Sequence, residues 1–218
     1  MELTTEQIEK IEHYLDIKDI KFIDVRFEVL DHIISDIEVK TQTEKLDFKT
    51  AFNNVTVKWN KHLKHSSSYM FGIMFSVPKI VLEKAKKRFS NWFFIPFPIF
   101  IATYFLIEKS SYILSETAKN GLNLFFQISS ICTLIIFLVL FILKLKNKTS
   151  TTYSFILNTQ SLNLLMVLIL LFDFDYLTKN GTLDSIQVTM LIGFIYSTYT
   201  YFYFYKKHKE AIKKYKIV

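Results

Sequence analysis

Up to about residue 68 the apolar positions of this chain fall one helical turn apart, and beyond residue 90 they merge into long runs. In the first region Thr4 or Thr5 offers an N-cap, with Glu6 and Glu9 following in the first turns, where a helix dipole favours acids. Ile8, Ile11 and Leu15 then supply one apolar stripe. Asp16 to Lys21 interrupts the pattern. A second helix is predicted from about Phe22 to Lys40, with Val25, Val29, Ile33 and Ile37 spaced one turn apart beside Phe22, Leu30 and Ile34. After a polar link from Thr41 to Lys45, Asp47 stands as N-cap of a third helix whose stripe is Phe48, Ala51, Phe52, Val55 and Trp59. Three helices burying one another's stripes make a small soluble domain over residues 1–68, with a core that is marginal on its own.

The run from Leu122 to Leu143, LNLFFQISSICTLIIFLVLFIL, is too apolar for such packing. Sixteen of its residues are Leu, Ile, Phe or Val. At about −0.3 to −0.6 kcal/mol each they favour a bilayer by roughly −7 kcal/mol, which Asn123 and Gln127 do not offset. A rise of about 1.5 Å per residue makes the run about 33 Å long, the hydrocarbon thickness of a membrane. Further spans are predicted over about 91–107, 153–172 and 186–205. The first is short, with Pro96 and Pro98 placed to break its opening turn and Trp92 at an interfacial position. The fourth ends in YSTYTYFYFY, an aromatic belt. The expected fold class is all-α: an integral membrane protein whose four-helix transmembrane bundle, residues 91–205, follows the three-helix soluble domain.

Between the two regions, YMFGIMFSVPKIVL from Tyr69 to Leu82 is apolar but too short to span. Val77, Val81 and Ala85 share one helical face, while Lys79, Glu83, Lys86 and Lys87 occupy another, the pattern of a helix lying in the membrane interface. Residues 69–90 are therefore expected to form an amphipathic interfacial elbow, with a re-entrant hairpin as the alternative. Residues 206–218 read as a basic tail. The charged N-terminus lacks the features of a cleaved signal, so no processing is expected there.

Composition agrees with a helical membrane protein: 50% of residues are hydrophobic, 17% are aromatic and only four are glycine. The single cysteine, Cys132, permits no intrachain disulfide and reads as a small packing residue. The net charge of +7 is unevenly placed, since residues 1–68 hold ten Lys or Arg against thirteen Asp or Glu, a net of −3. The excess stands beside the spans: Lys84, Lys86, Lys87 and Arg88 before the first; Lys144, Lys146 and Lys148 after the second; Lys206, Lys207, Lys209, Lys213, Lys214 and Lys216 after the fourth. The opposite loops set Lys109 and Lys119 against Glu108 and Glu116, and Lys179 against Asp173, Asp175 and Asp184. With four spans all basic flanks fall on one side, which places both termini of a multi-pass membrane protein in the cytosol. These flanks, chiefly Lys84, Lys86, Lys87, Arg88, Lys144, Lys146, Lys148, Lys206 and Lys207, are expected to meet lipid headgroups of the bilayer, and no nucleic acid.

Arg26, Glu28, Asp31, His32 and Asp36 gather on the second helix, where Glu28, His32 and Asp36 share a face. They suit an ion-pair network or a docking face for a protein partner. A carboxylate beside an imidazole also orients a base or holds a metal, so a membrane enzyme or metal-binding protein using Glu28, Asp31 and His32 is one alternative. His62 and His65, three residues apart, suit the end of a helix as well as a metal. No hydrolase elbow, zincin motif, P-loop or dinucleotide-binding glycine pattern occurs, and no cofactor, metal or catalytic residue is expected. None of the four spans carries an ionisable residue near its middle, which disfavours ion-driven transport. Asn123, Gln127, Asn158, Gln160 and Asn163 are the polar exceptions, expected to bond between helices at about 0.6 kcal/mol each. A polar path along the third span, hence a transporter or channel subunit, is the second alternative. The Tyr196, Tyr199 and Tyr203 stripe reads as packing and anchoring.

The segments EQIEKIEHYL, VRFEVLDHIISDIE and DFKTAF, between Thr5 and Trp59, resemble the short helical cytosolic domains that precede membrane bundles in small bacterial proteins, and look somewhat like the HAAS-type domain. The likeness covers about a quarter of the chain. Thr41 to Lys45 replaces the acidic, glycine-containing turn usual before the last helix, and no functional residue carries over. The resemblance implies membrane-linked signalling with PadR-type transcription regulators. Together with the acidic domain and the uncharged spans, it leads to the expectation of a non-enzymatic inner-membrane protein, sensing or regulatory, that binds a protein partner through residues 1–68 and is open to homo-oligomer formation.

Overall fold

The computed structural model describes residues 2–109, 114–160, 175–178 and 180–215, which are mostly helical. The chain divides into two compact units. The first comprises Met1–Arg88, Thr149–Thr159 and Lys207–Val218; the second comprises Phe89–Lys148 and Gln160–Lys206.

In the first unit, α1 (Thr5–Ile17) begins at Thr4, whose hydroxyl accepts from the Gln7 N–H while the Gln7 side chain accepts from the Thr4 N–H, a reciprocal capping box. The helix closes through Asp19, at a φ of 56°, with the Ile20 N–H donating to the Leu15 carbonyl. Helix α2 (Ile23–Thr43) and helix α3 (Phe48–Leu63) follow. The predicted stripes meet: Ile11 and Leu15, Val25, Val29, Ile33 and Ile37, and Ala51 and Val55 are all buried. Tyr14 bridges α1 and α3, its hydroxyl 3.2 Å from the Thr56 carbonyl and 3.1 Å from Asn60 Oδ1. Burial pushes the Tyr14 pKa up to about 12. Asp47 caps α3, as its position before Phe48 predicts.

Residues 69–78 depart from the expected elbow. Strands β1 (His65–Ser68) and β2 (Gly72–Pro78) pair antiparallel, with His65 opposite Pro78 and Ser68 opposite Gly72. Gly72 has a φ of 86°, which only glycine adopts without strain. Phe71 turns inward, edge-on to Phe155 at 5.1 Å. Helix α4 (Lys79–Phe94) starts only after the hairpin, and Val77, Val81 and Ala85, the stripe that spacing assigns to lipid, are buried within the protein. The physical reason is that Lys84 and Arg88 pair α4 with Glu28 and Asp24 of α2, which turns the stripe into core. Helix α7 (Thr152–Thr159) is buried over most of its length, and its Phe155 also packs edge-on against Phe22. This unit therefore takes in more than residues 1–68.

In the second unit the helix breaks at Ile95, and α5 (Pro96–Lys109) opens on a proline whose missing N–H costs nothing at a first helical position. Helix α6 (Glu116–Lys146) is capped by Ser115. Two helical stretches among the described residues are long and apolar enough to cross a membrane: Lys79–Lys109, with its break, and Glu116–Lys146. That is two of the four expected. Of the predicted third span only α7 and Gln160 are described, and residues 161–174 lie outside the described residues. The fourth falls within α8 (Ser185–Tyr215).

Helix α8 forms the core of this unit. Val188, Leu191, Phe194, Thr198, Tyr201 and Phe204 are buried at steps of three or four residues. Phe137 of α6 meets Phe194 and Tyr201 edge-on at 5.8 and 5.3 Å, and the Trp92 ring lies over Tyr196, Tyr199 and Tyr203, nearest to Tyr203 at 4.7 Å. Gly193 is the notch that admits Phe100, because a Cβ there would come within 2.8 Å of the ring. Helix α6 buries Ser130, Thr133, Phe137 and Leu140 while exposing Phe125, Ile128, Ile135, Ile136 and Ile142, and α5 buries nothing. Cys132, expected to pack, is exposed on α6. A helix in water would show the reverse, whereas in lipid aliphatic side chains face outward without penalty and small hydroxyl residues line contacts.

Hydrogen bonding from Thr50 holds the exposed Asp47 carboxyl below its ordinary value of 3.8. A lowered folded pKa contributes stability above the ordinary value and loses it as pH falls through the folded value. The stability advantage of the native chain over Asp47→Asn, read from thermal unfolding by circular dichroism, should therefore shrink between about pH 5 and about pH 2; a constant advantage contradicts the assignment.

Candidate functional site

The second-helix cluster is divided among neighbours within the first unit. Arg26 pairs with Asp16 at the end of α1, and Glu28 pairs with Lys84 of α4. Asp36 accepts from Trp59 Nε1 at 3.2 Å and from Lys58 at 3.3 Å, while His32 stacks on the Trp59 ring at 6.4 Å. Asp31 is exposed. Arg26, Glu28 and Asp36 thus tie α2 to α1, α4 and α3, while Glu28, Asp31 and His32 stay exposed on its outer side. His62 lies against Trp59, and His65 Nε2 stands 3.8 Å from Asp19. Among the described residues no group of three or more His, Cys, Asp or Glu side chains is placed to hold a metal ion.

Asp24, absent from the sequence reading, is where the unit converges. It is 1% exposed and lies in the first turn of α2. Its Oδ2 accepts from Arg88 at 2.7 Å and its Oδ1 from the Thr152 N–H at 2.8 Å, while Lys84 Nζ donates to its carbonyl at 3.1 Å. The Ile23 N–H donates to the Ser150 carbonyl at 3.0 Å, so the starts of α2 and α7 satisfy each other's exposed donors. The Asp24 charge also suits both helix dipoles. Arg88 lies over the Tyr153 ring at 4.2 Å. Next to this junction Thr151 and Ser154 cap α7 reciprocally, and the Thr151 hydroxyl lies 2.8 Å from Nδ1 of the fully buried His208, near the end of α8. The only local sign of Asp24 is an acid amid the otherwise apolar Phe22–Ile23 and Val25, which a dipole argument explains equally well.

Of the residues expected at lipid headgroups, Lys84 and Arg88 are turned onto α2, and Lys207 pairs with Glu210. Lys87, Lys146, Lys148 and Lys206 are exposed, and Lys86 and Lys144 are half-buried. Asn123 Oδ1 accepts from the Tyr176 N–H at 3.0 Å, and Gln127 is half-buried on the same helix. Asn158 is exposed, Asn163 lies outside the described residues, and Gln160 is buried with an Oε1 that has no partner among the described residues. On α1 and α3, Tyr14, Ile17 and Phe52 floor an open groove rimmed by Glu6, Glu9, Lys10 and His13.

Comparison with models of protein families, with curated proteins and with solved structures finds no match for this chain.

Because Asp24→Ala leaves the half-buried Arg88 guanidinium and the buried Thr152 N–H without their partner, it should cost roughly 3 kcal/mol or more. In a double-mutant cycle with Arg88→Ala, unfolding should show a coupling of about 1 kcal/mol or greater. Additive losses would show that the pair does not hold the unit.

Proposed function

We propose that this chain is a non-enzymatic four-span protein of a bacterial inner membrane with both termini in the cytosol, whose helical unit binds a protein partner and transmits that state to the membrane helices. The observation that carries the topology is the composition of the first unit. The chain leaves that unit after Arg88, returns at Thr149, leaves again after Thr159 and returns at Lys207. Each excursion that enters the bilayer must cross it an even number of times to return, and the first takes in Glu116–Lys146 and all of Lys79–Lys109 beyond Arg88, the two stretches with the length and apolarity to cross. The lysines at Lys144 to Lys148 and Lys206 to Lys209 mark these returns as the cytosolic side.

The regulatory reading rests on Asp24 and the groove. Helix α2 holds Arg88 and Lys84 of α4, the helix that leads toward the first span, so displacing α2 acts on that span's root. The groove of Tyr14, Ile17 and Phe52 supplies apolar contact with a mixed-charge rim, suited to a helix of a partner protein. The resemblance to HAAS-type domains names a PadR-type regulator as the class of partner. Of the three residues in the transport alternative, Asn158 is exposed, Gln160 is buried and Asn163 lies outside the described residues.

Removing residues 1–65 would strip Arg88 and α7 of Asp24, so a surface substitution is the cleaner probe. Ile17→Asp should abolish co-purification of a cytosolic partner in mild detergent, while Val57→Asp, at an exposed site on α3 outside the groove, should retain it. Recovery of the same proteins from the native chain and both variants would remove the groove from the account.

A further inference from the structure

The hairpin carries an apolar tip that the fold holds outward. From Ser66 to Pro78 no residue is charged. Tyr69 is 94% exposed, Met74 74% and Ile73 70%, as open as Leu106 at 72% on the uncovered helix α5. Elsewhere in the unit open apolar side chains such as Ile17, Val39 and Val57 stand apart, whereas three within six residues form a patch that calls for something to receive it. Nor is the tip a loose loop. Phe71 is buried edge-on to Phe155, Ser68 pairs with Gly72, and Val77 and Pro78 are buried at the base, so the turn is anchored while its neighbours project.

Basic residues bracket the tip: Lys64 and His65 enter β1, and Lys79, Lys86 and Lys87 follow β2 on α4. Two acids stand among them, Glu83 at 3.7 Å from Lys79 and Asp19 at 3.8 Å from His65. An uncharged aromatic and aliphatic tip flanked by cations complements an anionic membrane surface, with the apolar groups below the headgroups and the cations among them. We propose that Tyr69, Ile73 and Met74 insert into the interfacial layer of an anionic bilayer, making the hairpin a second membrane contact besides the spans. The interfacial role assigned by helical spacing to Val77, Val81 and Ala85 passes to the hairpin, because those three are core.

The inference rests on the membrane reading of α6, and the test separates the two. In the full-length chain on a Cys132→Ser background, single cysteines at Ile73, at Ile136 on α6 and at Val57 on α3 carry an environment-sensitive fluorophore. The protein is reconstituted in nanodiscs of phosphatidylcholine and phosphatidylglycerol with or without brominated acyl chains. Brominated lipid should cause loss of fluorescence at positions 73 and 136 but not at 57, and Ile73 should resist quenching by aqueous iodide. An Ile73 probe as open to iodide as the Val57 probe, with Ile136 quenched by bromolipid, overturns the hairpin proposal alone. If Ile136 is also untouched by bromolipid, the membrane reading falls with it. An Ile73 probe shielded from both quenchers, with disulfide cross-linking between copies, assigns the tip to a second copy and overturns insertion.

Discussion

The first unit depends on one buried carboxylate. Asp24 has no access to water, and a carboxylate so placed is tolerated only when its charge is paired and its oxygens are bonded. The groups that satisfy it lie 64 and 128 residues further along the chain, at Arg88 and Thr152. Neither is local, so the three predicted helices can pack their stripes early, yet α2 is not satisfied until the first excursion has gone out and come back. Completing the helical unit and returning the chain at Thr149 become one event, and closing so long a loop makes it a late one.

The second unit follows another rule. In the first unit aliphatic side chains point inward and ions pair around them, whereas in the second Ile, Leu and Phe of α5 and α6 point outward and Ser130, Thr133 and aromatic rings fill the contacts. The most apolar run, Leu122 to Leu143, lies on the outside of its unit, and the less apolar α8 takes the centre. Hydrophobicity reports affinity for lipid, while packing is decided by Gly193, by the tyrosines beneath Trp92 and by the Glu108 to Ser185 hydrogen bond of 2.7 Å.

The three N-terminal helices were legible because their signals are local: Thr4 and Gln7, Asp47, and stripes at helical spacing lie within a few residues of one another. The proline break before α5 was legible for the same reason. The hairpin was not, since YMFGIMFSVP alternates too weakly to separate a strand from a buried helix, and Gly72 was its one clear turn signal. Asp24 was hidden among thirteen acids of residues 1–68, because its partners are joined to it by the fold alone. Arg26, Glu28 and Asp36 stand on one helix and pair with its neighbours, but spacing along a helix cannot say whether a charged face meets solvent, a partner or the next helix.

The central claim is that Thr149–Thr159 and the end of α8 share a compartment with the N-terminal helices. Cysteines introduced one at a time at Lys10, Lys148, Lys209, Glu116 and Asn180, on a Cys132→Ser background, can be labelled with a membrane-impermeant maleimide in sealed inverted and right-side-out vesicles. Labelling of positions 10, 148 and 209 only in inverted vesicles, with 116 and 180 only in right-side-out ones, is the predicted result. Labelling of position 148 or 209 from the side opposite to position 10 would contradict the account.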